Sequence, residues 1–457
     1  MSTRSTLMIT KGVTVLTRLI GKGSGTALPG LLAERLQADL IRVLSQKLPN
    51  GVILVTGTNG KTTTSKLLVE MLEASGEVVL SNRAGSNLRR GIISTLINAA
   101  SLDGSLKETI GLFEIDEASL RNVTAELNPR AIVVLNLFRD QLDRYGELDT
   151  LAGVIGQGIA ASQADLYLNA DDPLVASLAK YASTPDKVHY FGIEGLPSAG
   201  SSAMETVSDS DRCPMCGSNL KYSRIFYSHI GHYSCPKGDF ERPQPEVVIT
   251  NAEVATLAKQ TFTVSIDGKR VKAELPLPGT YNLYNALAAT ALANGIGLEI
   301  RQVLDTLSIT TAAFGRVEQV KIGTKTLYLL LIKNPAGFTQ IVETFLRGRA
   351  NLNVMMAIND NAADGRDVSW LWDVPLEVIA ADNPNVVVAG IRGSDMAVRL
   401  KYAGIKSISA GTLEDGLAQL LAATSEGETA YILPTYTAML EIREMLSKQT
   451  NLQEVWK

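Results

Sequence analysis

Residues 52–68, VILVTGTNGKTTTSKLL, set a lysine and a row of threonines directly behind two glycines three apart. The apolar run Val52–Val55 reads as a buried strand. Gly57 and Gly60 allow a sharp turn that brings backbone N–H groups close to a ligand. Lys61 adds a positive charge and Thr62 a hydroxyl where a helix begins, and a helix N-terminus favours anions. Gly57, Thr58, Asn59, Gly60, Lys61, Thr62 and Thr63 therefore form a candidate phosphate cradle, shorter than the usual GxxxxGK[ST] loop.

Two other groupings carry chemistry. CPMC (Cys213, Cys216) and CPKG (Cys235) are separated by eighteen residues. Four thiolates at that spacing would complete a zinc ribbon, but Gly238 stands in the fourth place. His229 or His232 is a candidate replacement; the alternative is a ribbon that keeps its hairpins without metal. The stretch NDNAADGRDVSWLWD offers Asp360, Asp364, Asp367 and Asp373 around Gly365, either a solvated turn or a working loop. Trp370 and Trp372 behind it read as core packing, with part of a partner interface as the alternative.

The elements that must position these groups alternate. GLFEIDE (111–117), PRAIVVLNLF (129–138) and ADLYLNADDP (164–173) read as strands ending in acids or amides. Strands alternating with helices imply an α/β doubly wound sheet with ligands at the strand C-terminal ends. A polar stretch, about 205–245, interrupts the pattern and reads as an insertion. TFTVSIDG and KAELPLPG resume it, followed by a helix over NLYNALAATALANGIG. KTLYLLLIKNP, LNVMMAIND, NVVVAGI and TAYILPT read as the strands of a second, smaller α/β unit.

The totals set outer bounds. The chain has 457 residues, enough for two or three domains. It is 45% hydrophobic and 5% aromatic, which suits an aliphatic α/β core. A net charge of −4 lacks the basic signature of a nucleic-acid binder, so no nucleic-acid partner is expected. No apolar run is long enough to span a membrane. Residues 1–23 carry Lys11 and Arg18 inside an apolar pattern; they read as an amphipathic helix packed on the protein, or as a membrane-surface contact. Three cysteines clustered between 213 and 235 argue against a disulfide framework and point to a reducing compartment.

FEIDEASL, NLFRDQLDRYGELD, NADDP, GTYNLYNALAA and FGR, in this order, resemble the Mur ligase superfamily, which joins an amino acid to a carboxylate through an acyl phosphate. The resemblance implies a Mur ligase-like central P-loop ATPase domain over 47–312 with a zinc-ribbon-like insertion, a helical segment over 1–46, and a C-terminal α/β domain over 313–457. About fifty residues before the loop are too few for the UDP-binding domain of the UDP-muramoyl ligases. That shortness, the cysteine insertion and IKNPAGFTQ, NDNAADGRDVSWLWD and TYTAMLEIREML are similar to the synthetase-subunit family of lipid II isoglutaminyl synthases.

The resemblance implies ATP-dependent amidation of the α-carboxylate of D-glutamate in lipid II, using ammonia from a GatD-type glutaminase partner. It implies a cytoplasmic protein, peripheral at the inner membrane face. Lys61 would contact the β/γ-phosphates; Thr62 and Glu114 would ligate Mg²⁺. Asn87 matches a nucleotide-site asparagine, Asn282 and Asn285 adenine-side asparagines, Arg316 an inter-domain arginine reaching ATP phosphate, and Lys333 a lysine on the γ-phosphate side. Asp367 would support the glutaminase histidine in trans, and Cys213, Cys216 and Cys235 would hold zinc, in a module far from phosphoryl transfer. Asp116 and Glu117 read as Glu114's second shell or as a solvated acidic face; helix capping is the bland alternative for Asn282.

Departures from the ligases are Gln141 in place of a metal-binding histidine, Leu331 in place of an aspartate before Lys333, and Ala164–Asp165 where relatives carry a carbamylated lysine. Asp140 remains a candidate metal group, and Asp165 is a candidate substitute for that lysine. The runner-up reading is a folylpolyglutamate-synthetase-like ligase; another is a nucleotide-binding scaffold.

Overall fold

The computed structural model describes residues 2–19, 27–82, 86–140, 147–196, 209–256, 259–312 and 317–448. Gln141 and Arg316 lie outside them. Three helices come first: α1 (Thr3–Leu19), α2 (Ala27–Leu36) and α3 (Leu40–Ser45). The first sheet then assembles from β1 (Val52–Thr56), β2 (Val79–Ser81), β3 (Ile110–Glu114), β4 (Ala131–Val134), β5 (Asp165–Asn169) and β6 (Val188–Ile193). Among them run α4 (Lys61–Ala74), α5 (Arg89–Ala99) and α6 (Leu120–Leu127).

A hairpin of β7 (Lys221–Tyr227) and β8 (Ile230–Ser234) makes its own two-stranded sheet. The chain rejoins the first sheet with β9 (Val247–Thr256), β10 (Lys259–Ile266) and β11 (Lys269–Leu275). The strand order is β11-β10-β9-β6-β5-β4-β1-β3-β2. Pairing is parallel from β2 through β9 and antiparallel at β9–β10–β11. Because β6 pairs directly with β9, the cysteine segment is an excursion that leaves the sheet unbroken.

β1 is an inner strand, third from the β2 edge, and all five of its residues are buried. Ile53 and Val55 pack into one core, Val52 and Leu54 into the core on the other face. Burial on both faces is why β1 reads as an unbroken apolar run rather than an alternation.

The second sheet holds β12 (Glu318–Ile322), β13 (Lys325–Leu329), β14 (Asn353–Ala357), β15 (Asn385–Ala389), β16 (Ser407–Ser409) and β17 (Thr429–Pro434). Its order is β12-β13-β17-β14-β15-β16, parallel except for the β12–β13 hairpin. The two units touch directly. Arg139 pairs with Asp373 at 3.3 Å, and Lys333, just beyond β13, reaches back to the loop after β1.

Candidate active site

The turn after β1 is shaped by its glycines. Gly57 (φ 132°) and Gly60 (φ 91°) occupy conformations that L side chains rarely adopt. A Cβ on Gly60 would also stand 2.0 Å from the Asn285 Oδ1. Thr58 is clamped from both sides: its amide donates to the Asn136 carbonyl (2.9 Å) and its Oγ1 accepts from the Phe138 amide (3.0 Å). Asn59 donates its amide to Asn136 Oδ1 (2.8 Å). α4 starts at Lys61 with no side-chain cap, so its first-turn amides face the loop.

Lys61 is buried and folded back onto its own loop. Its Nζ donates to the Gly57 carbonyl (2.6 Å) and to Glu117 Oε1 (2.7 Å). Burial disfavours the ammonium, but Glu117 and then Glu114 outweigh it and hold the Lys61 pKa above its ordinary value. Glu117 is therefore neither a solvated face nor a remote support; it is the direct partner of the loop lysine. Asp116 caps the short turn Glu117–Ser119 by accepting the Ala118 amide (3.1 Å). Glu114 ends β3 opposite Val55 of β1, half-buried. Thr62 is half-buried at the start of α4. The Asn87 carbonyl accepts the Asp116 amide (2.9 Å), which ties that asparagine to the same rim.

Across the loop stand groups from elsewhere. Asn282 and Asn285 lie buried on the helix Thr280–Gly295, joined side chain to side chain at 3.1 Å. Gly279 holds the N-cap position of that helix, so capping is not the work of Asn282, which donates to the Pro278 carbonyl (2.7 Å). Lys333 donates to the Thr58 carbonyl (3.1 Å) and pairs with Asp140 (2.9 Å). Asn334 and Asn59 meet side chain to side chain at 3.0 Å.

Between these groups opens a cleft of about 820 Å³, counting its mouth. Asn59, Gly60, Thr63, Asn282, Asn285, Leu331 and Lys333 line it, with Phe138, Tyr281 and Tyr227 as its aromatic wall. Asn136, Phe138, Asn334 and Tyr227 were not singled out from sequence. The first three sit inside or beside quoted motifs at strand ends, where a single chain does not separate liners from packing residues. Tyr227 belongs to β7, so the cysteine module reaches the cleft rather than standing far from it.

The residues present fit a hard divalent cation. Thr62 and Glu114 offer oxygen donors at adjoining ends of α4 and β3, and the buried Asp140 Oδ1 has no partner among the described residues. Asp165 does not join them. It is the first residue of β5 in a parallel sheet, so it lies at the strand end opposite the loop.

The cysteine module has an unexpected fourth member. Ligand atoms of Cys213, Cys216, Cys235 and Asp239 all lie within 4.8 Å of one another. Gly217 and Gly238 take positive φ and close two like turns, with Met215 N donating to Cys213 Sγ and Lys237 N to Cys235 Sγ, each at 3.4 Å. Asp239, one residue past the glycine, supplies the donor; three thiolates and a carboxylate suit Zn²⁺. Neither histidine does. His229 is buried against the Phe138 ring (4.8 Å), and His232 Nε2 is engaged with the Ile193 carbonyl (2.7 Å).

The acidic loop sorts its own residues. Asp360 pairs with Arg392 (3.1 Å), Asp364 accepts the Thr437 amide (2.7 Å) and Asp373 pairs with Arg139. Asp367 is exposed, its Oδ1 accepting the Ser369 amide of its own turn (2.8 Å). It borders a concavity with Arg366, Trp372, Arg392 and Asp395. Trp370 is half-buried and packs against Phe338 at the core's edge, whereas Trp372 is half exposed beside Tyr402, so only the first packs on the core.

A glycine loop after an inner strand of one largely parallel sheet, met by a lysine just beyond β13 of a second, defines a protein of the Mur ligase class. Residues 55–236 match the model of the Mur ligase middle domain, and residues 331–439 that of the MurT ligase C-terminal domain. A solved pseudomurein peptide ligase type C from Methanothermus fervidus shares the fold, with a TM-score of 0.71, 23% identity, and 89% of this chain and 80% of that chain covered. The lipid II isoglutaminyl synthase (glutamine-hydrolyzing) subunit MurT of Streptococcus pneumoniae is 35% identical across 95% of this chain and 94% of its own. Its counterpart in Staphylococcus aureus is 34% identical across 94% of each. The chain belongs to this MurT family.

Proposed function

We propose that the chain is the synthetase subunit of a lipid II isoglutaminyl synthase, amidating the α-carboxylate of D-glutamate in the peptidoglycan stem. On this reading 47–312 and 313–457 are its two working domains, with 1–46 packed ahead of them. The observation that carries it is the cleft in which the loop of Lys61 meets Lys333 from the second sheet. Two ammonium groups converging on one glycine turn suit a triphosphate.

A carboxylate resists ammonia because oxide is a very poor leaving group. Transfer of the γ-phosphoryl group of ATP to a carboxylate oxygen releases ADP and leaves an acyl phosphate. Ammonia adds to the carbonyl carbon, loses a proton, and phosphate departs with the former carboxylate oxygen. Lys61 and the α4 amides hold the β- and γ-phosphates; Lys333 meets the transferring group; Asn282 and Asn285 orient the adenine side. Thr62 and Glu114 would hold Mg²⁺, which supplies charge neutralisation on the phosphate oxygens.

The Lys61 ammonium, held by the Gly57 carbonyl and Glu117, turns toward the phosphates when nucleotide binds. Nucleotide binding therefore exchanges one anionic partner for another without leaving the ammonium bare. Asp367, exposed on its loop, is offered to the histidine of a GatD-type glutaminase, whose ammonia the synthetase consumes. The Cys213–Cys216–Cys235–Asp239 set would hold zinc, which would stiffen the hairpin that carries Tyr227 to the cleft.

Belonging to this family sets aside the folylpolyglutamate-synthetase-like alternative. The test is incubation of the purified chain with ATP, Mg²⁺, lipid II and ammonium, without a partner. Mass spectrometry of the lipid is expected to show a hydroxyl exchanged for an amino group. Unaltered lipid with ATP consumed would overturn the reading.

A further inference from the structure

α1 is inside out. Thr6, Leu7 and Thr10 are fully buried and Thr14 nearly so, so the face that packs on the protein is largely hydroxyl. Those hydroxyls are satisfied within the helix: Thr6 donates to the Ser2 carbonyl (3.1 Å), Thr10 to Thr6 (2.8 Å) and Thr14 to Thr10 (2.9 Å). Three large aliphatic side chains point outward instead. Met8 is 62% exposed, Val15 59% and Ile9 39%, with exposed Arg4 one turn before Met8. A surface helix packed only for stability shows the reverse arrangement. Leu28 and Leu88, near the starts of α2 and α5, are also about half exposed. They belong to one end of the molecule, since Gly30 packs tightly on the Arg90 carbonyl.

Charge singles out the same region. The first 33 residues contain Arg4, Lys11, Arg18 and Lys22 and no acid. Residues 1–50 hold seven Lys or Arg against two Asp or Glu, a net +5, on a chain whose net charge is −4. A basic, apolar-faced end on an acidic body is complementary to an anionic interface. No described helix is long and apolar enough to cross a membrane. A second copy of the chain is the weaker occupant, because three aliphatic side chains fall well short of the roughly 1,200 Å² that stable protein interfaces bury.

We propose that the outward face of α1 seats the protein on an anionic bilayer surface, with Met8, Ile9 and Val15 entering the headgroup boundary and Arg4 facing lipid phosphate. The proposal rests on the lipid-linked acceptor for its purpose, since a seated enzyme searches for that acceptor in two dimensions. Its test stands apart from that reading.

The full chain is sedimented with vesicles of phosphatidylcholine, with and without phosphatidylglycerol. The wild type is expected to pellet with the anionic vesicles and to be released by salt. Met8→Asp with Val15→Asp is expected to lower the partition coefficient about tenfold or more. Ile309→Asp, at an exposed site on a distant helix, controls for charge and leaves binding unchanged. Arg4→Glu weakens binding to anionic vesicles without adding a polar group to the apolar strip, and circular dichroism verifies that each variant is folded.

Wild type that stays in the supernatant, or a folded double variant that pellets as wild type does, overturns the proposal. So does a wild-type dimer, seen by light scattering, that the double variant dissolves. Amidation of a water-soluble acceptor with ammonium is measured in parallel and is expected to be equal in wild type and double variant. Its absence in wild type would overturn the enzymatic reading while the vesicle result still judges α1.

Discussion

Glu117 decides how Lys61 behaves before nucleotide arrives. The pair is buried and 2.7 Å apart, so removing one charge strands the other. Glu117→Gln is expected to lower unfolding free energy by about 3 kcal/mol, read by urea denaturation. Because phosphate can replace the lost carboxylate, Mg-nucleotide should stabilise that variant more than it stabilises wild type. Equal ligand-induced shifts would show that Lys61 does not change partners. At Asp367 the expectation is a split. Asp367→Asn loses glutamine-dependent amidation with the partner present, yet keeps ammonium-dependent amidation; parallel loss of both would place this residue elsewhere in the mechanism. Lys61 was legible in sequence because a glycine turn before a helix has few other uses. Glu117 was not, because DEA after a strand looks the same whether the acid is solvated or buried against a lysine.

Among the elements, the β7–β8 hairpin ties the cysteine set to the cleft wall. Asp239→Ala should lose zinc to a chelator and Asp239→Cys should hold it more firmly, each by about tenfold or more, the scale on which even outer partners of a metal count. Native mass spectrometry gives the zinc content, and equal retention in all three proteins would exclude Asp239 as a ligand. A search for paired CxxC motifs passes over this site because its fourth donor falls one residue late, past Gly238. An amphipathic α1 was legible, but not which residues form its packed face, because hydropathy counts Thr as polar whereas a helix can bury threonines by returning their hydroxyls to its own carbonyls. Arg399 and Glu377 give the second sheet a pH-sensitive tie. Paired hydrogen bonds of 2.9 Å hold the Glu377 carboxyl below its ordinary range. That stabilisation is present above the unfolded pKa of about 4.3 and is lost as pH falls through the depressed folded value. The stability gap between wild type and Glu377→Gln should therefore close on acidification below about pH 4. A constant gap would show that the charge is not what matters.

For the whole molecule, two sheets and one cleft account for the chemistry. The strand segments of both sheets were readable from sequence, since β-branched runs such as AIVV and NVVVA have little choice but a buried parallel strand. The closure between the sheets was not readable. It depends on Lys333 meeting the Thr58 carbonyl and on Arg139 meeting Asp373, contacts between residues hundreds of positions apart. The central claim is that this closed cleft moves phosphoryl from ATP onto a carboxylate before ammonia attacks. The most direct measurement uses lipid II labelled with oxygen-18 in the glutamyl α-carboxylate, together with ATP, Mg²⁺ and ammonium. The account predicts that each amide formed by wild type releases phosphate carrying one labelled oxygen, and that Lys61→Ala releases none. Amide formed with unlabelled phosphate would contradict it.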